Sequence, residues 1–321
     1  MALPLAILIF FFVLLLLFGA NMVVTALRHF SSSKTSTFTL SAILLALATS
    51  FPELFVAITS GLEGTSELAL GNVLGANITN LTLVAGGAAV IAGRVAMHGE
   101  FLRREAWIAL IAGVVPLVLL LDGILSRIDG MILIAVWGAY VVHFFHIRFI
   151  QIAQKLSDEG FWYRFLHKVE VGVNGTKGRE TARLLLGVAL LLFSADVIVR
   201  ISSSLAHDIG IPIFLVGVLV IALGTTLPEL ALSFRSIADG EPQMFIGNIL
   251  GSLITNATLV VGVASILSPI KVDPVPALTV GAAFVTIYAL FWIFIETKQR
   301  LDRLEAGILV ALYILFVIII R

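Results

Sequence analysis

Apolar runs of about 20 residues, the length of helix that crosses a hydrocarbon layer, follow one another along almost the whole chain. They fall at roughly 3–27, 37–60, 67–92, 103–121, 128–150, 182–204, 211–236, 243–268, 275–296 and 303–320. Few folds are open to such a chain, because lipid offers backbone N–H and C=O groups no partner outside their own segment. The sequence therefore predicts an all-α integral membrane protein with ten transmembrane helices. Charged residues make up 12% of the chain, against about 25% in a soluble domain, and the mean hydropathy is +1.10. Lys+Arg and Asp+Glu both number 20, which leaves no basic surface for nucleic acid. The absence of cysteine excludes disulfides, thiol catalysis and thiolate metal sites. The stretch from Ala2 to Val24 is apolar with no basic residue ahead of it, and reads as a first membrane helix rather than a cleaved leader.

Charge in the connections sets the orientation. When sides are counted alternately, only Arg127, Arg200, Lys271 and Arg321 of the 20 basic residues fall on one of them. That asymmetry predicts both termini outside a plasma membrane and the longest loop, 151–181, in the cytoplasm. The loop divides the chain into a first membrane repeat, 1–150, and a second, 182–321. Its aromatic and basic residues, Phe161-Trp162-Tyr163-Arg164 among them, suit a tether lying on the membrane surface. Asn174-Gly175-Thr176 matches a glycosylation pattern, but the charge rule places it inside. Asn77, Asn80 and Asn256 head such tripeptides within spans, so all four are discounted.

The two parts repeat one another. Glu229 stands 176 positions after Glu53, and the same offset relates Asn248 to Asn72, Gly251 to Gly75, Asn256 to Asn80 and Thr258 to Thr82. Phe18-Gly19-Ala20-Asn21 is echoed by Phe193-Ser194-Ala195-Asp196, one residue out of step. Each part has five spans, and an odd number turns the second copy upside down. The expected architecture is thus two inverted five-helix repeats, with a site near the midplane where they meet.

The centre of each copy carries an acid inside an apolar span: Ala46-Leu47-Ala48-Thr49-Ser50-Phe51-Pro52-Glu53 and Ala222-Leu223-Gly224-Thr225-Thr226-Leu227-Pro228-Glu229. A carboxylate at that depth is costly unless paired, protonated or binding a cation. Ala46, Thr49, Ser50 and Glu53 share one helix face, as do Ala222, Thr225, Thr226 and Glu229. The prolines break the hydrogen-bond ladder, which frees carbonyls near Ala46 and Ala222. Carboxylate, hydroxyl and carbonyl oxygens suit hard cations such as Ca2+ and Na+. The next span of each copy adds Asn72, Thr79 and Asn80, or Asn248, Ser252, Thr255 and Asn256, on one face. Gly71-x-x-x-Gly75 and Gly247-x-x-x-Gly251 let backbones approach closely. Taken singly, each feature has a packing explanation: membrane Ser and Thr bond back to their own helix, and a lone Asn bridges helices. Their joint recurrence across a duplication favours a cation site. His143 and His146 read as an interfacial pair, Arg103, Arg104 and Glu105 as a membrane-edge anchor, and Glu63 and Glu67 as solvated loop acids. Asn21 and Asp196 read as hydrogen-bonding groups on a moving helix.

The paired stretches, with Gly71-Asn72-Val73-Leu74-Gly75-Ala76-Asn77-Ile78-Thr79-Asn80 and Gly247-Asn248-Ile249-Leu250-Gly251-Ser252-Leu253-Ile254-Thr255-Asn256, resemble the alpha repeats of the sodium/calcium exchanger family, within the calcium/cation antiporter superfamily. The resemblance covers essentially the whole chain and implies Na+/Ca2+ antiport by alternating access, with membrane lipid and the two ions as partners and no cofactor or catalysis. It implies Glu53 and Glu229 as central Ca2+ ligands beside the backbone carbonyls of Thr49 and Thr225. Ser50, Thr226, Ala46, Ala222 and Ser252 would help form flanking Na+ sites, and Asn80 and Asn256 would complete the cluster. The first and sixth spans would slide as a gating pair. Ala48 and Ala76 depart from the family pattern, and Ala76 removes a hydroxyl expected near one Na+ site. The proton-coupled branch typically has an acid in the Gly-Asn motif, and neither copy here does. A proton or other-divalent antiporter and, in a different class, a passive channel stay open as alternatives, with a monomer as the working expectation.

Overall fold

The computed structural model describes residues 2–31, 49–96, 100–155, 177–238 and 242–320. Its first part holds α1 (Ala2–Ser31), α2 (Phe51–Leu62), α3 (Ser66–Thr79), α4 (Ala85–Ala92), α5 (Glu100–Leu119) and α6 (Arg127–Lys155). The second holds α7 (Lys177–Ile209), α8 (Ile213–Val216), α9 (Ala222–Thr225), α10 (Leu227–Ala238), α11 (Pro242–Thr255), α12 (Val261–Leu267), α13 (Pro274–Lys298) and α14 (Arg303–Ile320). Among the described residues, seven helical stretches are long and apolar enough to cross a membrane: Ser66–Ala92, Leu102–Asp122, Arg179–Ile209, Ile213–Ala238, Met244–Leu267, Pro274–Thr297 and Arg303–Ile320. The protein is therefore a multi-span membrane protein. The expected span at 37–60 is described only from Thr49 onward. Most of the connecting loop, with Asn174, lies outside the described residues.

Several helices join end to end through irregular turns. Wider π-helical turns occupy Asn80–Val84, Gly217–Ile221 and Asn256–Val260. The first and last are 176 positions apart, like the sequence repeat. Breaks of equal shape precede the two Pro-Glu pairs: Ser50 has φ −83° and ψ 3°, and Thr226 has φ −84° and ψ 0°. Proline explains the break, since its ring crowds the carbonyl one turn back and it has no N–H to donate. Placed in the first turn of α2 and of α10, Pro52 and Pro228 cost a new helix nothing.

Burial separates centre from rim. The crossing windows of Ser66–Ala92 and Met244–Leu267 are 78% and 83% buried, against 28% for Arg303–Ile320 and 33% for Arg179–Ile209. Close approach at the centre requires glycine. A Cβ on Gly71 would lie 2.0 Å from the Phe214 carbonyl oxygen, and one on Gly75 would lie 2.3 Å from that of Val218. Helices α1 and α7 run along one another and form a cluster of their own, with Ile9, Val13 and Leu16 against Leu191, Ala195 and Ile198. That cluster meets the rest of the molecule through Val56, Leu68, Val216 and Ile221. Phe10, Phe11 and Phe18 on α1 and Leu186 and Phe193 on α7 are exposed, as befits a surface solvated by lipid.

Two short antiparallel ribbons tie connections of the two parts together. β1 (Arg94–Ala96) pairs with β4 (Arg300–Asp302), with Val95 opposite Leu301. β2 (Ile124–Leu125) pairs with β3 (Ile270–Lys271), with Leu125 opposite Ile270. The Arg103-Arg104-Glu105 anchor needs correcting. Successive residues of α5 point in different directions, so Arg103 pairs with Glu296 and Arg104 with His143. Glu105 instead turns inward, is buried, and accepts the Tyr140 hydroxyl at 3.0 Å. Asp196 holds Arg200 at 3.1 Å, and Arg200 reaches Glu63 at 2.7 Å, so Glu63 is an ion-pair partner rather than a free loop acid. The side chain of His146 lies outside the described residues.

Gly71→Ala should lower unfolding stability in detergent by roughly 1–3 kcal/mol, the usual cost of overpacking, because the obstruction is backbone. Gly87→Ala meets nothing within 4 Å and should leave the melting temperature unchanged or raised. Equal melting temperatures for both variants would contradict the close-packed centre.

Candidate cation-binding site

Glu53 lies in the first turn of α2 and Glu229 in the first turn of α10. The free N–H groups and partial positive charge at a helix start favour an anion there. Both side chains are wholly buried, at 0% exposure, and lie close enough for each carboxylate to act on the other's charge. The Thr225 hydroxyl faces Glu53, and those of Thr49 and Ser252 face Glu229. The sites of the two copies thus interleave, each acid facing a threonine of the opposite part.

The asparagines cross in the same way. Thr49 Oγ1 donates to Asn248 Oδ1 at 3.3 Å, and Thr225 Oγ1 donates to Asn72 Oδ1 at 3.1 Å. A hydroxyl has one proton, so Thr225 cannot also give one to Glu53. Ser252 Oγ lies 3.1 Å from Thr49 Oγ1 and donates to Glu229 Oε1 at 3.5 Å. At the matching place in the first copy stands Ala76, which has nothing to donate. Both oxygens of Glu53 and Oε2 of Glu229 consequently lack a hydrogen-bond partner. Among the described residues, no basic side chain pairs with either acid.

Asn80 and Asn256 open the two π-helical turns and are fully buried. The Asn80 turn lies against α10 and the Asn256 turn against α2. Asn256 Nδ2 donates to Asn77 Oδ1 at 3.4 Å, while Asn256 Oδ1 and both amide atoms of Asn80 have no partner. Ser50 is buried with a free hydroxyl, whereas Thr226 donates to the Ala222 carbonyl at 2.9 Å. That carbonyl also receives the Thr226 N–H at 3.2 Å and lies 3.4 Å from the Thr225 hydroxyl, whose proton goes to Asn72. The expected free carbonyl at Ala222 is thus engaged, because hydroxyls one turn on reach back to it. Ala46 lies outside the described residues.

The structure brings Glu53, Glu229, Thr49, Thr225 and Ser252 together with Asn72 and Asn248, the asparagines expected from the next span of each copy, and it adds Asn77. Asn77 faces Leu253 in the repeat, so a search for matching polar positions passes over it. The set is two carboxylates among neutral amide and hydroxyl oxygens. Such donors suit a hard cation, and among the described residues no three His, Cys, Asp or Glu side chains converge.

Comparison with known proteins agrees with this chemistry. The sequence profile of a family described as "Sodium/calcium exchanger protein" matches residues 4–146 and 180–321. The chain is similar to the inner membrane protein YrbG of Escherichia coli (strain K12), 32% identical over 233 residues, 72% of this chain and 70% of YrbG. It is also similar to the sodium/calcium exchanger MaX1 of Methanosarcina acetivorans, 26% identical over 315 residues and 89% of each chain. A solved structure of the sodium-calcium exchanger NCX_Mj, soaked with Na+ and Sr2+, matches over 100% of both chains with a TM-score of 0.63 and 23% identity. At that identity the likeness speaks for the fold. Profile, relatives and fold together place this chain in the sodium/calcium exchanger family, whose members are membrane antiporters and not enzymes.

Proposed function

We propose that the chain exchanges Na+ for Ca2+ across a plasma membrane by alternating access, with Glu53 and Glu229 as the shared centre of its site. The observation that carries this reading is the pair of wholly buried acids, drawn from both copies and lacking a basic partner among the described residues. Thr49 and Thr225, with Asn80 and Asn256, complete the Ca2+ site, and Ser50, Thr226, Ser252, Ala46 and Ala222 serve the flanking Na+ sites. Two ionised acids give the ion-free site a charge of −2. Carrying that charge through a low-dielectric gate is prohibitive. One Ca2+ cancels it, and so do two Na+. The loaded protein can therefore switch sides and the empty one cannot, which makes exchange obligatory without any further device.

The fold supports the topology that this mechanism needs. Ten crossings arise from the seven apolar stretches together with α1, α6 and the span ending in α2. Counted alternately, they bring β1 and β4 to one side and β2 and β3 to the other, as the ribbons require. The five-plus-five division at residues 151–181 and the inverted second copy follow from the same count, and the charge asymmetry of the connections turns both termini outward. The inner-membrane relative YrbG is in keeping with a plasma-membrane location. The separate cluster of α1 and α7 suits a pair that slides over the rest.

Radiolabelled Ca2+ uptake by reconstituted protein tests the function. Vesicles loaded with Na+ should take up Ca2+, those loaded with K+ should not, and Glu53→Gln or Glu229→Gln should abolish uptake. Full retention in either variant would remove the site, and uptake driven by a pH gradient without Na+ would replace the coupling ion with H+. Ala76→Ser restores the hydroxyl that Ser252 provides in the other copy. It should move the Na+ dependence of exchange several-fold toward lower Na+, and an unchanged dependence would contradict the role assigned to this position.

A further inference from the structure

The buried side of α10 is polar where a helix packed among helices is ordinarily apolar. Among the described side chains of α10 the buried ones are Glu229, Ser233 and Ser236, spaced i, i+4, i+7 on one face. Leu230, Phe234 and Ile237 are only partly buried against the core. Ser233 and Ser236 are 0% and 2% exposed, and neither hydroxyl has a hydrogen-bond partner. Thr79, Thr82, Thr258 and Ser265 satisfy their buried hydroxyls by donating one turn back, whereas Ser194 and Ser202 of α7, far from either acid in sequence, share the unpartnered state of Ser233 and Ser236. Ser233 and Ser236 do not make that bond, on a helix that packs against α4 and α11. The first copy has no equal. Ala57 stands at the place of Ser233, and Ser60, at the place of Ser236, donates to the Ala57 carbonyl at 3.2 Å.

We propose that Ser233 and Ser236 are steps of a cation route between Glu229 and the membrane face at which α10 ends. Seven residues of helix rise about 10 Å, a third of a hydrocarbon core of about 30 Å, so the stripe spans much of the path from midplane to interface. Each hydroxyl oxygen replaces a water in the shell of a partly dehydrated Na+ or Ca2+, as a neutral oxygen ligand does for a hard cation. The serines keep their lone pairs and protons uncommitted for that reason. By the charge rule this face is cytoplasmic, so the two copies treat passing ions differently: the inner route has two uncommitted hydroxyls on its acid-bearing helix, and the corresponding part of α2 has Ala57 and Ser60, whose hydroxyl is spent on the Ala57 carbonyl. The proposal rests on the exchange reading for the identity of the ions and on the buried hydroxyls for the path.

The chain contains no cysteine, so Ser233→Cys and Ser236→Cys each create its sole thiol. In proteoliposomes of known orientation, a membrane-impermeant methanethiosulfonate should modify both several-fold faster from the side where α10 ends than from the other. Ser233→Ala and Ser236→Ala should slow Ca2+ uptake several-fold, and the Thr variants, which retain the hydroxyl, should transport faster than the Ala variants. Thiols inert from both sides, or modified faster from the opposite side, would overturn the route, as would Ala variants with wild-type turnover. The two readings fail separately. Inert thiols in a protein whose uptake is abolished by Glu229→Gln remove the route and leave exchange. One-sided labelling in a protein that takes up no Ca2+ keeps the route and removes exchange.

Discussion

Two wholly buried carboxylates in a low-dielectric centre, the charge of one acting on the other and no basic partner for either among the described residues, are the constraint on which the rest of the structure depends. Ionised acids so placed repel one another and forgo the hydration that water would give them. Glu53 and Glu229 are nevertheless fully buried, and only one of their four oxygens receives a hydrogen bond, from Ser252. An arrangement so poor in internal partners is at its most stable with a cation among its oxygens. On the proposed exchange reading, a bare double charge cannot cross the dry part of the protein, and binding and coupling share one electrostatic origin.

The backbone around the acids is shaped to the same end. The breaks at Ser50 and Thr226 have the same dihedral angles within a few degrees, and each starts a new helix whose first turn presents the acid. Gly71 and Gly75 bring α3 against the turn at Gly217–Ile221. Only at that separation does Asn72 reach Thr225. The ribbons join connections of the two copies at opposite ends of the bundle. Helices α1 and α7 form a cluster of their own, which α2 and α8 join to the rest through apolar contacts and the Arg200–Glu63 ion pair.

Much of this was legible in the sequence, and the rest was hidden for physical reasons. Span positions follow from hydropathy, and the stretch predicted at 67–92 is a helical run at Ser66–Ala92. The acids and threonines stand out because an offset of 176 repeats them. The π-helical turns have no residue signature, since they differ from α geometry by a small widening that many side chains accept. Strands of two or three residues are too short to show the alternation of a sheet. The engaged carbonyl of Ala222 depends on the rotamers of Thr225 and Thr226, which spacing does not specify. Glu105 was misread because three neighbouring charges look like one surface cluster, although on a helix they point in different directions and one of them turns into the core.

The central claim is that the two acids share one ion. Equilibrium Ca2+ binding to the purified protein, with Na+ absent, tests it most directly by counting ions per chain. A shared centre binds one Ca2+, and replacing either acid by glutamine loses that ion entirely. Two Ca2+ per chain, with each single replacement retaining one of them, would mean two independent sites and would contradict the account.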